Sequence, residues 1–119
     1  NPDELRTFGF GGIGPDHFLH PSDSGDKKYQ LANRLLQAFV IKNYGQHCLS
    51  GRRSEKIGRL NLHKIIRSQL EKYGLRYRHD SIDTAGDHDA RGQPRWWSHR
   101  RDGARPRRGS NGVLVMYHG

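Results

Sequence analysis

Arg59 and His63 stand four residues apart, with Lys56 three residues before the arginine and Arg67 four after the histidine. Residues three and four apart are neighbours on a helix surface, so these four side chains would fall within a sector of about 80° and form one basic row. A guanidinium and an imidazole presented together can donate to one phosphate, and the imidazole can stack under a base. A second group lies later, where Arg95-Trp96-Trp97-Ser98-His99-Arg100-Arg101 interleaves indole rings with cations and Arg105-Pro106-Arg107-Arg108 adds more charge. Aromatic faces beside cations are what a single strand needs, because unpaired bases stack and phosphates attract. The structural alternative is that the tryptophans anchor a loop to the domain and the arginines are solvated surface charge.

The charge balance favours a polyanion as partner. The chain has 119 residues, 21 Lys+Arg against 12 Asp+Glu, and a formal net charge of +9. The excess is uneven: residues 1–26 carry Arg6 against five acids, whereas residues 52–79 carry nine cations against Glu55 and Glu71. Each cation that neutralises a phosphate releases condensed counterions, which supplies most sequence-independent nucleic-acid affinity. Only 32% of the residues are hydrophobic, well below an ordinary globular domain, so the core is small and solvated segments are extensive. No apolar run is long enough for a membrane span. The chain opens on Asn1, which points to a piece of a longer protein.

Other chemistries are weaker. His79, Asp83, Asp87, His88 and Asp89 form one candidate metal cluster and His17 with His20 another, but neither has a helical His-x-x-x-His or a Cys-x-x-Cys spacing that prearranges ligands. A metal-dependent nuclease holds its carboxylates rigidly around the ions, and these lie in the most breakable part of the chain. The single cysteine, Cys48, excludes an internal disulfide and reads as a small buried hydrophobe. No cofactor and no catalysis are expected.

Two helices should carry the basic row and the core. The first is expected from about Asp26 to Asn43, capped by Ser24 or Asp26 and closed by Gly45, with Ala32, Leu35, Leu36 and Phe39 at the spacing of a buried face that Leu31, Val40 and Ile41 widen. The second is expected from about Ser54 to Tyr73, with Leu62, Ile65, Ile66, Leu70 and Tyr73 facing the core, Gly58 weakening its first turn, and Gly74-Leu75 ending it. Arg76 to His79 reads as a short strand, and Val113 to Tyr117 as a late apolar strand. Residues 1–26 read as a glycine-rich acidic arm that is flexible, with Phe8, Phe10 and Phe18 as the side chains able to dock on the domain. Residues 27–119 form the domain, interrupted by a long basic loop at about 83–110. The order of elements gives a small α+β fold with two helices packed on one face of a sheet.

Arg59-Leu-Asn-Leu-His63, the helix end Tyr73-Gly74-Leu75, Ser81 and the late strand Gly112-Val-Leu-Val-Met-Tyr117 occur in one order. That set resembles the Arg-x-x-x-His domain family, small modules that bind single-stranded nucleic acid, over roughly residues 28–82 and 110–118. The resemblance implies a three-stranded sheet with two helices and binding of single-stranded RNA or DNA. It makes Arg59 and His63 the surface pair that meets nucleic acid or shapes the local surface, and Gly74 and Leu75 structural residues. The chain departs from the family in its connection from Ser81 to Gly112, which is far longer.

The sequence is thus expected to encode a non-catalytic, monomeric single-strand-binding module. Its contacts would come from Arg59, His63, Lys56 and Arg67, joined by Arg95, Trp96, Trp97, Arg100, Arg101, Arg107 and Arg108 of the loop. A structural or docking component of a ribonucleoprotein is the rival, with contacts to other proteins, and a metal-dependent nuclease the third reading. Absence of paired cysteines fits an intracellular, reducing compartment, and the charge points to the nucleus.

Overall fold

The computed structural model describes residues 6–23, 25–49, 56 and 58–102. Its elements in chain order are strand β1 (Arg6–Gly9), helix α1 (Lys27–Tyr44), a 3-10 turn (Gln46–Cys48), helix α2 (Leu62–Glu71), strand β2 (Arg76–His79) and the single turn α3 (His99–Asp102). β1 and β2 pair in parallel, with Arg6 opposite Arg76, Thr7 opposite Tyr77, Phe8 opposite Arg78 and Gly9 opposite His79. Among the described residues the sheet has two strands. The expected three-stranded sheet is therefore not what forms, and the strand expected at 113–117 lies outside the described residues. The expected flexible arm is corrected too: Arg6–Gly9 is half of the sheet. A turn connects antiparallel strands, but parallel pairing joins segments far apart in sequence, and no local pattern announces it.

α1 begins where its cap predicts. The Asp26 carboxylate accepts from the Lys28 N–H at 2.8 Å, and Gly45, at φ 101°, donates its N–H to the Ile41 carbonyl. Of the expected face only its edge, Val40 and Ile41, turns inward. The buried face is Gln37, Val40 and the partly buried Ile41 and Tyr44, while Leu35, Leu36 and Phe39 are exposed. Polar contacts decide this docking: Gln37 Nε2 donates to the His20 carbonyl at 2.7 Å and Asn33 Nδ2 to the Pro21 carbonyl at 2.8 Å. Buried polar groups need partners, and the segment Phe18–Ser22 supplies them.

The core is small. Val40, Cys48, Leu49 and Leu60 are buried together, with Phe18, Ile41, Tyr44 and Ile65 packed against them. Leu60 reaches it because the chain is extended there, bridging Leu49, while its neighbour Arg59 bridges Leu19. That extended run overturns the expected start of the second helix. α2 begins only at Leu62, capped by Asn61, whose side chain accepts from the Lys64 N–H at 3.0 Å. Gly58 explains the delay. At φ +62° it lies so near the 18–20 segment that a Cβ would stand 2.0 Å from the His20 carbonyl oxygen, so this glycine serves close approach of two chains. α2 ends as expected, with the Leu75 N–H donating to the Leu70 carbonyl and the Gly74 N–H to Glu71. Tyr73, expected in the core, is exposed. Among the described residues no helix is long and apolar enough to cross a membrane.

Candidate nucleic-acid interface

The four residues of the expected basic row do not form one. Arg59 lies in the extended run before α2, and its Nε faces the Asp16 carboxylate at 3.4 Å. Lys56 is exposed but outside α2, its carbonyl accepting from the Ser22 N–H at 3.0 Å. His63 and Arg67 are the two that share the helix, one turn apart.

His63 is a packing residue between helix and sheet. Its ring stacks on that of His79 with centroids 3.8 Å apart and planes 4° off parallel, and its Nδ1 shares a hydrogen bond with Tyr77 Oη at 2.7 Å. Its Nε2 is buried with no hydrogen-bond partner, because it abuts the backbone of Gly12, where an added Cβ would stand 3.0 Å away. Burial lowers the His63 pKa below the usual imidazole value; neighbouring His79 and Arg67 add to this and Asp80 opposes it. Burial also raises the Tyr77 pKa, keeping the hydroxyl protonated. This half-buried ring fixes α2 on β2, with Nδ1 held by Tyr77 and Nε2 turned into the fold.

A cleft of about 320 Å³ opens beside this stack, lined by Asn61, Lys64 and Arg67 of the α2 side and by Ser81, Ile82 and Asp83 opposite. Its acids are engaged by the glycine-rich run. Asp80 Oδ2 accepts from the Gly11 N–H at 2.9 Å, and Asp83 Oδ1 from the Gly14 N–H at 2.9 Å while its Oδ2 meets His17 Nδ1 at 2.8 Å. Burial pushes the Asp83 carboxyl up, but hydrogen bonds from the Gly14, Ala85 and Gly86 backbone and from His17 outweigh it and hold the pKa below the usual carboxylate value. Residues 9–14 are thus stitched to the domain. Among the described residues no group of three or more His, Cys, Asp or Glu could hold a metal ion.

The described part of the expected basic loop is ordered around its own arginine. Arg101, predicted to meet nucleic acid, donates to the carbonyls of Ala85 (3.0 Å), Thr84 and Trp96 and pairs with the buried Asp102 at 2.6 Å. Asp102 in turn accepts from the Ser98 N–H at 3.1 Å. Trp96 and Trp97 are half-buried, whereas Arg95 is exposed. Arg100 lies in α3 with only its backbone described, and Arg107 and Arg108 lie outside the described residues.

Sequence reasoning missed the outer face of the sheet. Side chains alternate across strands, and here Thr7, Tyr77 and His79 turn toward α2 while Arg6, Phe8, Arg76 and Arg78 turn outward and are exposed. Phe10 continues that side: its ring lies 4.9 Å from that of Phe8, tilted by 52°, and the two rings are 56% and 49% exposed. Phe18 alone of the three phenylalanines joins the core. Three guanidinium groups therefore flank two solvent-facing rings, and among the described residues none of the three forms an ion pair. The signal was the alternation Arg6-x-Phe8-x-Phe10 beside Arg76-x-Arg78, visible once both segments are read as strands.

No protein-family model matches the chain, and searches of curated proteins and of solved structures find no match either. The resemblance to the Arg-x-x-x-His family rests on the quoted residues alone.

Proposed function

We propose that the chain is a non-catalytic module that binds single-stranded RNA or DNA across the outer face of β1 and β2. The observation that carries this reading is the pair of exposed phenyl rings, Phe8 and Phe10, set beside Arg6, Arg76 and Arg78 on one open sheet face. Unpaired bases stack on such rings, each contributing about 1–3 kcal/mol by alanine substitution, and the guanidinium groups meet the phosphates. Exposed phenylalanine is costly for solubility alone, and its placement among cations rather than among apolar residues fits a nucleobase better than a protein core. The net charge of +9 steers a polyanion toward the chain. The family resemblance agrees in function while its Arg59–His63 pair moves from contact to scaffold. An intracellular, reducing and nuclear setting goes with this reading.

Fluorescence anisotropy with labelled oligo(U) and oligo(dT) tests it. Phe8→Ala with Phe10→Ala should weaken binding by about tenfold or more, the effect of one to two lost stacking contacts. Arg76→Gln with Arg78→Gln should flatten the dependence of log K on log salt by about 1.4, two phosphate contacts at the single-strand coefficient. Unchanged affinity in both double variants would overturn the assignment. Equal binding of a duplex would overturn the single-strand preference.

A further inference from the structure

We infer that the outer face of α1 is a docking surface for an acidic amphipathic helix of a partner protein. α1 is apolar on two opposite sides. Val40 and Gln37 face the core, while Leu31, Leu35 and Phe39, at i, i+4 and i+8, are 60%, 63% and 55% exposed. On a 3.6-residue helix these three lie within about 40° of Leu35, on the side away from Val40. Among the described residues this strip has no part in the buried core, and such strips mark interaction sites.

The charges select the occupant. Residues 27–44 hold Lys27, Lys28, Arg34 and Lys42 and no acid. Lys28 and Lys42 fall close to the line of the strip at its two ends, about 21 Å apart along the axis. A second copy laid antiparallel about Leu35 would bring Lys28 against Lys42 twice, and a parallel copy would oppose each lysine with itself. Both arrangements place like charges at the ends of an apolar contact, which disfavours self-pairing. A helix with leucines at heptad spacing and carboxylates beyond its apolar segment meets both requirements. From Leu31 to Phe39 the strip is about 12 Å long and about 10 Å wide, well below the ~800 Å² per partner of a standard stable interface, so the contact is sized for one helix and for reversible binding. This surface is separate from the sheet face proposed for nucleic acid.

Two labelled synthetic peptides of about 21 residues test the proposal. Both carry the same leucine heptads, one flanked by glutamates and the other by lysines, and each is titrated with the full chain by anisotropy. The glutamate peptide should bind, with the lysine peptide weaker by about tenfold or more. Leu31→Gln with Leu35→Gln should abolish binding while leaving the circular dichroism spectrum unchanged, because both side chains are already in solvent and glutamine keeps helix propensity. Lys28→Glu with Lys42→Glu should transfer the preference to the lysine peptide. No binding of either peptide, or equal binding of both, would overturn the inference. So would sedimentation showing a dimer that Leu35→Asp dissociates, since the occupant would then be a second copy.

Discussion

Replacing Gly58 with alanine separates two descriptions of the segment before α2. Were residues 54–73 one helix, alanine in place of an internal glycine would stabilise it by up to about 1 kcal/mol. In the structure the same change must destabilise. Gly58 sits at φ +62°, where an L side chain costs about 1–2 kcal/mol, and its Cβ would stand 2.0 Å from the His20 oxygen and 2.5 Å from the His20 carbon. Both are backbone atoms, so the two chains must separate. Their separation loosens the His20 N–H to Gly58 carbonyl bond (2.9 Å), the Leu60 N–H to Phe18 carbonyl bond (3.2 Å) and the Gln37 contact to His20 (2.7 Å). At about 1 kcal/mol for each bond, with the backbone cost added, the loss is about 4–5 kcal/mol. Gly74 is the control: its φ of +72° is similar, but nothing lies within 4 Å of an added Cβ, so Gly74→Ala should cost only about 1–2 kcal/mol. Urea unfolding of both variants reads the difference. A neutral or stabilised Gly58→Ala protein would refute the extended run, restore Arg59 to a helix one turn from His63, and return the proposed contact surface to that row.

Two further perturbations probe the scaffold around the interface. The lowered His63 pKa means the unfolded chain takes up a proton below about pH 6.5 that the folded chain does not, so stability is full above that value and falls as pH drops toward the folded pKa, at no more than about 1.4 kcal/mol per pH unit. Urea midpoints between pH 7.5 and 5 should therefore fall less steeply for His63→Gln than for the parent; identical slopes would remove the enclosed imidazole from the account. Arg101→Met leaves Asp102 buried without its cation and should cost about 3–5 kcal/mol, whereas Arg95→Met, at an exposed position, should change the melting free energy by less than about 0.5 kcal/mol. Equal effects would mean that Arg101 is surface charge after all.

What could be read from the sequence was what local chemistry decides. The ends of α1 follow from Asp26 and Gly45, the end of α2 from Gly74 and Leu75, and β2 from the alternation of Arg76 to His79. Cys48 is buried as a small hydrophobe should be. Orientation was not legible in α1, because its apolar residues cover both sides and two polar side chains, Gln37 and Asn33, settle which side turns inward. The glycine-rich run misled for a related reason. Glycine is as useful for tight contact as for freedom, and Gly12 lies against an imidazole whose position depends on a strand more than sixty residues later. Arg59 and His63 share helical spacing, but the positive-φ contact at Gly58 breaks the helix between chain segments that only the fold brings together.

The enclosed histidine and the open sheet face are one device seen from two sides. Because side chains alternate, sliding β1 by one residue against β2 would turn Phe8 inward and Thr7 outward, exchanging the whole outer set. The inner face prevents that slip. A side chain at Gly9 would collide with the Tyr77 hydroxyl, 2.0 Å from its Cβ, and Gly12 must pass the His63 ring, so only this register keeps the glycines under the aromatic groups. His63 accordingly places Phe8 beside Arg78 without touching a ligand. A substitution that empties the stack, such as His63→Ala, acts on the proposed interface through register, and its loss of affinity should be recovered by any change that pins β1 to β2 independently.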